Sequence, residues 1–145
     1  MKSTSPTTNY GTLSSLRLRQ GTSSTDSFYH SYLTFTVSGL SGSVTGAKLR
    51  LFVTDASADG GSVFKVDPGW TESGVTWSNA PALVAPAIAG VGATSATGAW
   101  TEVGLGSLIT GNGTYSVGLS SASSNSAIYD SREGTNKPQL VVTTG

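Results

Sequence analysis

GAKLRLFVT, residues 46–54, alternates between two kinds of side chain. Ala47, Leu49, Leu51 and Val53 share one parity, and Lys48, Arg50 and Phe52 share the other. Successive side chains of a strand point to opposite faces, so this rhythm marks a strand with one face buried. The same period recurs on both sides of it. SLRLRQ (15–20) sets Leu16 and Leu18 against Arg17 and Arg19. YHSYLTFTV (29–37) sets Leu33, Phe35 and Val37 against Tyr32, Thr34 and Thr36. GTYSVGLSS (113–121) aligns Tyr115, Val117 and Leu119, and Pro138 opens a last strand, PQLVVTT (138–144).

Glycine, serine and asparagine clusters separate these runs: SGLSGSVTG (38–46), DASADGG (55–61), ITGNG (109–113) and SSASSN (120–125). Helix is nearly absent. GLGSLITG (104–111) suits one short helical turn with Leu108 and Ile109 facing the core. About eight or nine short strands and no alternation of strand with helix predict an all-β, jelly-roll β-sandwich of antiparallel strands. With no internal repeat or linker, residues 1–145 read as one domain.

Length and composition narrow the function classes. A chain of 145 residues can bury a real core without staples, and it has no cysteine. Eight basic and eight acidic residues balance, which gives no basic excess for nucleic acid. No run approaches the length of a membrane helix. MKSTSPTTNYG (1–11) has a lysine but no apolar core, so it does not read as a signal peptide. A monomer is expected.

The least regular stretch runs from Asp67 to about Ala99, with a short strand expected around Ile88. It begins in VDPGWTESGVTWSNAP (66–81), which carries Trp70 and Trp77 among Pro68, Gly69, Gly74 and Pro81. Loops this long usually pack down or bind something. The two tryptophans can anchor the segment by burying large apolar area, or can present flat faces to sugar rings. The burial reading is preferred. Thr71, Glu72 and Gly74 suit a tight turn between them.

Four stretches in this order resemble carbohydrate-binding module family 96, the DNRLRE or disaggregatase-related repeat group. They are SPTTNYG (5–11) with the strand SLRLR, then GAKLRLFV, GWTESGVTWSNAP and IYDSREGTNKPQLVV (128–142). Trp70, Glu72, Val75, Thr76, Trp77 and Pro81 match the loop motif, Asn9, Tyr10 and Gly11 the N-terminal one, and Ser131, Arg132, Glu133 and Pro138 the C-terminal one. The resemblance implies a jelly-roll accessory module of secreted multidomain proteins that degrade polysaccharides, and some such modules bind acidic glycans. It also implies calcium. Family members open with a short strand bearing an aspartate and an aromatic. Here only MKSTS (1–5) precedes the motif, so the expectation is a truncated or degenerate first strand that lacks the acidic ligand.

The outward parities suggest a binding face. Arg17, Arg19, Lys48 and Arg50 all fall opposite buried positions, with His30, Tyr32 and Phe52 sharing that outward character. Trp100, ahead of Glu102, is the remaining platform candidate. If their strands are neighbours, these residues make a basic face with aromatics in it, suited to uronic or sulfated sugars. The alternative is a solvated face whose arginines pair with acids. Trp70, Glu72, Trp77, Arg132 and Glu133 read as structural anchors, with Arg132 and Glu133 as a buried ion pair. Oxygen ligands for calcium are available at Asn9, Asp26, Asp55, Asp59 and Asp130, although DASADGG lacks EF-hand spacing and reads more simply as a hairpin turn.

Nothing groups catalytic residues. His30 is the only histidine, and no set of side chains suits zinc. The expectation is therefore a non-catalytic module that holds an attached catalytic domain on polysaccharide. The competing expectation is a structural, adhesion or spacer sandwich without sugar affinity.

Overall fold

The structure, a computed structural model, describes residues 1–94 and 96–145; Ser95, inside the expected irregular stretch, lies outside the described residues. Nine strands form two antiparallel sheets among the described residues. One sheet contains β1 (Ser15–Leu18), β3 (Val44–Asp55), β6 (Trp100–Gly104), β8 (Ala127–Asp130) and β9 (Gln139–Thr144). The other contains β2 (Ser31–Val37), β4 (Ser62–Val66), β5 (Val84–Gly90) and β7 (Gly113–Ser120). This is a sandwich consistent with the jelly roll that the alternation predicts.

The long strand β3 organises the first sheet. β6 pairs with it from Lys48 to Phe52 on one edge. β9 and β8 share the other edge, β9 along Val44–Arg50 and β8 at Val53 and Asp55, where a register shift bends the strand. β1 then pairs with β8 and forms an outer edge. In the second sheet the order is β2-β7-β4-β5.

The alternating positions meet between the sheets. Leu18, Leu49, Leu51 and Val53 of the first sheet join Val63, Val117 and Leu119 of the second in one buried cluster. Each such side chain contributes roughly 1.5–3 kcal/mol by leaving water. Tyr129 is fully enclosed, and its hydroxyl donates to the Gly60 carbonyl at 2.6 Å, so its one polar atom is satisfied.

A second apolar layer lies outside the four-stranded sheet. Gly118 and Tyr32 face each other across β7 and β2, on the side away from Val117 and Leu119. The segment after β4 folds over them. A β-carbon at Gly118 would overlap Leu83 and come within 2.9 Å of Val66 Cγ2, so glycine permits this close approach. The Tyr32 hydroxyl donates to the Pro81 carbonyl, and the Tyr32 ring meets Trp70 edge-on at 5.9 Å. The His30 ring lies 4.6 Å from that of Trp77. The strand expected around Ile88 is β5.

Two local expectations need correction. DASADGG is not a hairpin turn. β3 and β4 lie in different sheets, so it is a crossover, fixed by Asp59 carboxylate oxygens accepting from Gly61 N (2.9 Å) and Ala122 N (2.7 Å). GLGSLITG forms no helix. A single turn, Leu108 N to Leu105 O at 3.1 Å, suffices to bury Ile109 and half-bury Leu108.

Candidate functional site

The outward residues divide between the sheets: Arg17, Lys48, Arg50 and Phe52 lie on β1 and β3 of the five-stranded sheet, whereas Tyr32 lies on β2 of the other, with His30 just before it. Lys48, Arg50 and Phe52 share the outer side of β3. Trp100 stands directly opposite Phe52 in register, with ring centroids 5.4 Å apart and an edge-to-face angle of 74°. The Arg50 guanidinium lies 4.6 Å over the Trp100 ring. Glu102 takes both cations, Lys48 Nζ at 3.0 Å and Arg50 Nε at 2.8 Å. The two ion pairs hold the Glu102 carboxyl below its usual range.

His30 and Tyr32 point outward but are covered by the loop just described, which corrects the expected exposure of His30. Burial lowers the His30 pKa to about 4, with a smaller push from the nearby terminal ammonium. Arg19 is committed to structure. It pairs with Asp26 at 3.0 Å and donates to the Ser27 and Ser124 carbonyls. Arg17 is different. Its Nε donates to Ser126 Oγ, its guanidinium lies 4.3 Å over the Tyr29 ring, and it has no carboxylate partner among the described residues.

Arg17 stands at a cleft of about 360 Å³ where the sheet edges β1 and β2 approach each other. Leu16 and Leu33 contribute apolar surface, and Tyr10, Tyr29, Tyr32 and Trp70 bring aromatic rings. The Trp70 indole N–H is buried with no acceptor among the described residues. Lys2, Arg17 and Arg132 supply positive charge to the lining, and Glu72 and Glu133 supply carboxyls. Aromatic rings beside a few polar groups are the make-up of a site for a partly apolar, hydroxylated ligand.

The loop wall of the cleft is clasped rather than free. Gly74 N and Val75 N both donate to Thr71 O, closing the turn that carries Glu72. The Asn9 side-chain amide donates to the Glu72 carbonyl at 2.9 Å and to the Val75 carbonyl at 2.8 Å. Arg132, on the turn after β8, reaches Glu72 Oε2 at 2.7 Å and Glu133 Oε1 at 3.3 Å. The expected buried Arg132–Glu133 pair is corrected here: the Arg132 side chain is 70% exposed, because it leans over the cleft rim instead of into the core. Burial and the adjacent Glu133 push the Glu72 carboxyl up. Burial also acts on Glu133, but hydrogen bonds from Glu72, Ser131 and Arg132 outweigh it and bring that carboxyl down.

The proposed metal ligands do not assemble. Asn9 holds the loop, Asp26 pairs with Arg19, Asp59 caps the crossover, and Asp130 accepts from Asn136 N at 3.0 Å. Asp55 ends β3, exposed. No three histidine or acidic side chains gather around a metal-sized space among the described residues. This donor set does not fit a calcium ion, which needs six to eight converging oxygens.

The chain matches carbohydrate-binding module family 96 over residues 1–144. It belongs to that family. The protein is thus a non-catalytic carbohydrate-binding module, of a kind generally found in secreted glycan-active proteins. No curated protein matches the chain. The sequence reading of this module missed Lys2 and Tyr29. Tyr29 sits at the end of an alternating run, and its role depends on isolated bridges to Lys2 and Arg19 that only the folded chain reveals. Tyr10 was signalled by the motif around Asn9.

Proposed function

We propose that the module binds an acidic polysaccharide in the cleft between β1 and β2. The observation that carries this reading is Arg17, stacked on Tyr29 at the cleft and free of any acidic partner among the described residues. A guanidinium can meet a carboxylate or sulfate through paired hydrogen bonds, and the neighbouring rings offer faces to the C–H surface of a sugar. Lys2 and Arg132 add charge of the same sign. In this reading the module belongs to a secreted, multidomain glycan-degrading protein. Its binding raises the local concentration of an attached catalytic domain at the polysaccharide.

A structural or spacer role is the second reading. It is favoured by the commitment of Arg19, Lys48 and Arg50 to Asp26 and Glu102. Affinity electrophoresis separates the two. The panel should hold alginate, pectate, sulfated galactans, β-glucans, chitosan and xylan. Retardation by acidic chains, lost in Arg17→Ala, supports the cleft. Folded protein that no chain retards supports the spacer.

A further inference from the structure

The outer side of β3 and its neighbours β6 and β9 places two large aromatics, two cations, a carboxylate and an amide on one surface. Trp100 and Phe52 are only half-buried there, on the side of the sheet away from the core. A cross-strand aromatic pair steadies a sheet, and that accounts for Phe52 against Trp100. It does not account for the polar frame. Arg50 lies over the Trp100 ring and also donates from Nη1 to Gln139 Oε1 at 2.6 Å. Glu102 draws Lys48 and Arg50 together, leaving the group with one net positive charge. Apolar rings framed by fixed donors and acceptors match the alternating C–H and hydroxyl surface of a sugar chain.

This surface lies in the same sheet as Arg17. β1 and β6 are opposite edges of that sheet, three strand spacings apart, and Trp100 is also offset along the strands from the level of Arg17. Strand geometry puts the two sites roughly 15–20 Å apart. A ligand small enough to sit inside the cleft cannot touch Trp100. A longer chain leaving the cleft across the outer face of the sheet can.

We infer that the Trp100–Arg50–Phe52 surface is a second contact for polysaccharide, taking internal sugars of an anionic chain whose other segment occupies the cleft. The inference rests on the cleft reading and extends it: the module grips long chains at two places and short ones at one. Two weak contacts on one chain act together through effective concentration, so removing the outer one weakens long-chain binding without touching short-chain binding.

The test uses whichever acidic polysaccharide retards the module, at full length and as its disaccharide. Binding of each is measured by titration calorimetry or electrophoresis with wild-type protein, Trp100→Ala and Arg17→Ala. Trp100→Ala should weaken the full-length chain about tenfold and change disaccharide affinity less than twofold. Arg17→Ala should weaken both. Arg50→Gln, at a half-buried position on the outer face, replaces Trp100→Ala if that chain fails a circular-dichroism fold check. Unchanged full-length binding in these outer-face variants, with Arg17→Ala still defective, overturns the second contact alone. Disaccharide binding that Arg17→Ala leaves intact overturns the cleft reading, and this inference with it.

Discussion

Arg132 ties Glu72 to the turn after β8, Nη2 to Oε2 at 2.7 Å, so the tryptophan loop is fastened to the far end of the chain across the cleft rim. The pair is exposed, and exposed ion pairs contribute little to stability. Arg132→Ala is therefore expected to lower unfolding free energy by less than about 1 kcal/mol in urea titration. Acidic-glycan affinity should nonetheless drop several-fold, since a cleft cation is lost. A loss of stability well beyond this range would make Arg132 a fold determinant instead.

The two carboxyls around Arg132 should not titrate alike. Burial and the neighbouring Glu133 raise Glu72, whereas hydrogen bonds lower Glu133 against the effect of its own burial. As pH falls, Glu72 takes up its proton first. Carboxyl carbon shifts followed through an acid titration check this order directly, and the reverse order would contradict the geometry given for the clasp.

Asn9 carries a larger share of the loop. Its amide group donates to two backbone carbonyls and its oxygen accepts from Gly11 N at 3.0 Å. Asn9→Ala should cost about 2–3 kcal/mol through lost and unsatisfied hydrogen bonds. Asn9→Asp should cost at least as much, because a carboxylate cannot donate to the Glu72 and Val75 carbonyls. Calcium should not restore it. Recovery of the Asn9→Asp melting temperature on adding calcium would mean that this position ligates metal after all.

His30 gives the fold an acid sensitivity. Its folded pKa of about 4 lies below the ordinary 6.5, so the unfolded chain binds the proton more readily between those values. Stability is then full above about pH 6.5 and falls as pH drops toward 4, by an amount of order 2 kcal/mol for this partly covered group. His30→Phe keeps a ring against Trp77 and removes the proton. It should flatten the melting-temperature profile in that window. An unchanged slope would locate the acid sensitivity elsewhere.

Much of the sandwich was legible because the alternating runs are long. Leu49, Leu51 and Val53 could share a face in no other secondary structure with Lys48 and Arg50 on the opposite side. What period two cannot reveal is which strands are neighbours. It placed Tyr32 and Arg50 outward correctly, yet they lie in different sheets and one is roofed by the loop. The crossover at residues 55–61 reads as a hairpin for the same reason: turn residues report a reversal, not the sheet to which the chain returns. The cleft was the least visible feature. It is assembled from residues distant in sequence, such as Tyr29, Trp70 and Arg132, and local pattern carries no trace of that meeting.

The most direct measurement of the central claim uses the three indole N–H resonances of ¹⁵N-labelled protein. A disaccharide of the retarding acidic polysaccharide is titrated in while they are recorded. The cleft account predicts that the Trp70 signal moves with saturable dependence, because Trp70 forms the cleft wall, while Trp77 and Trp100 stay in place. Saturable binding that moves Trp100 and leaves Trp70 unchanged would contradict it.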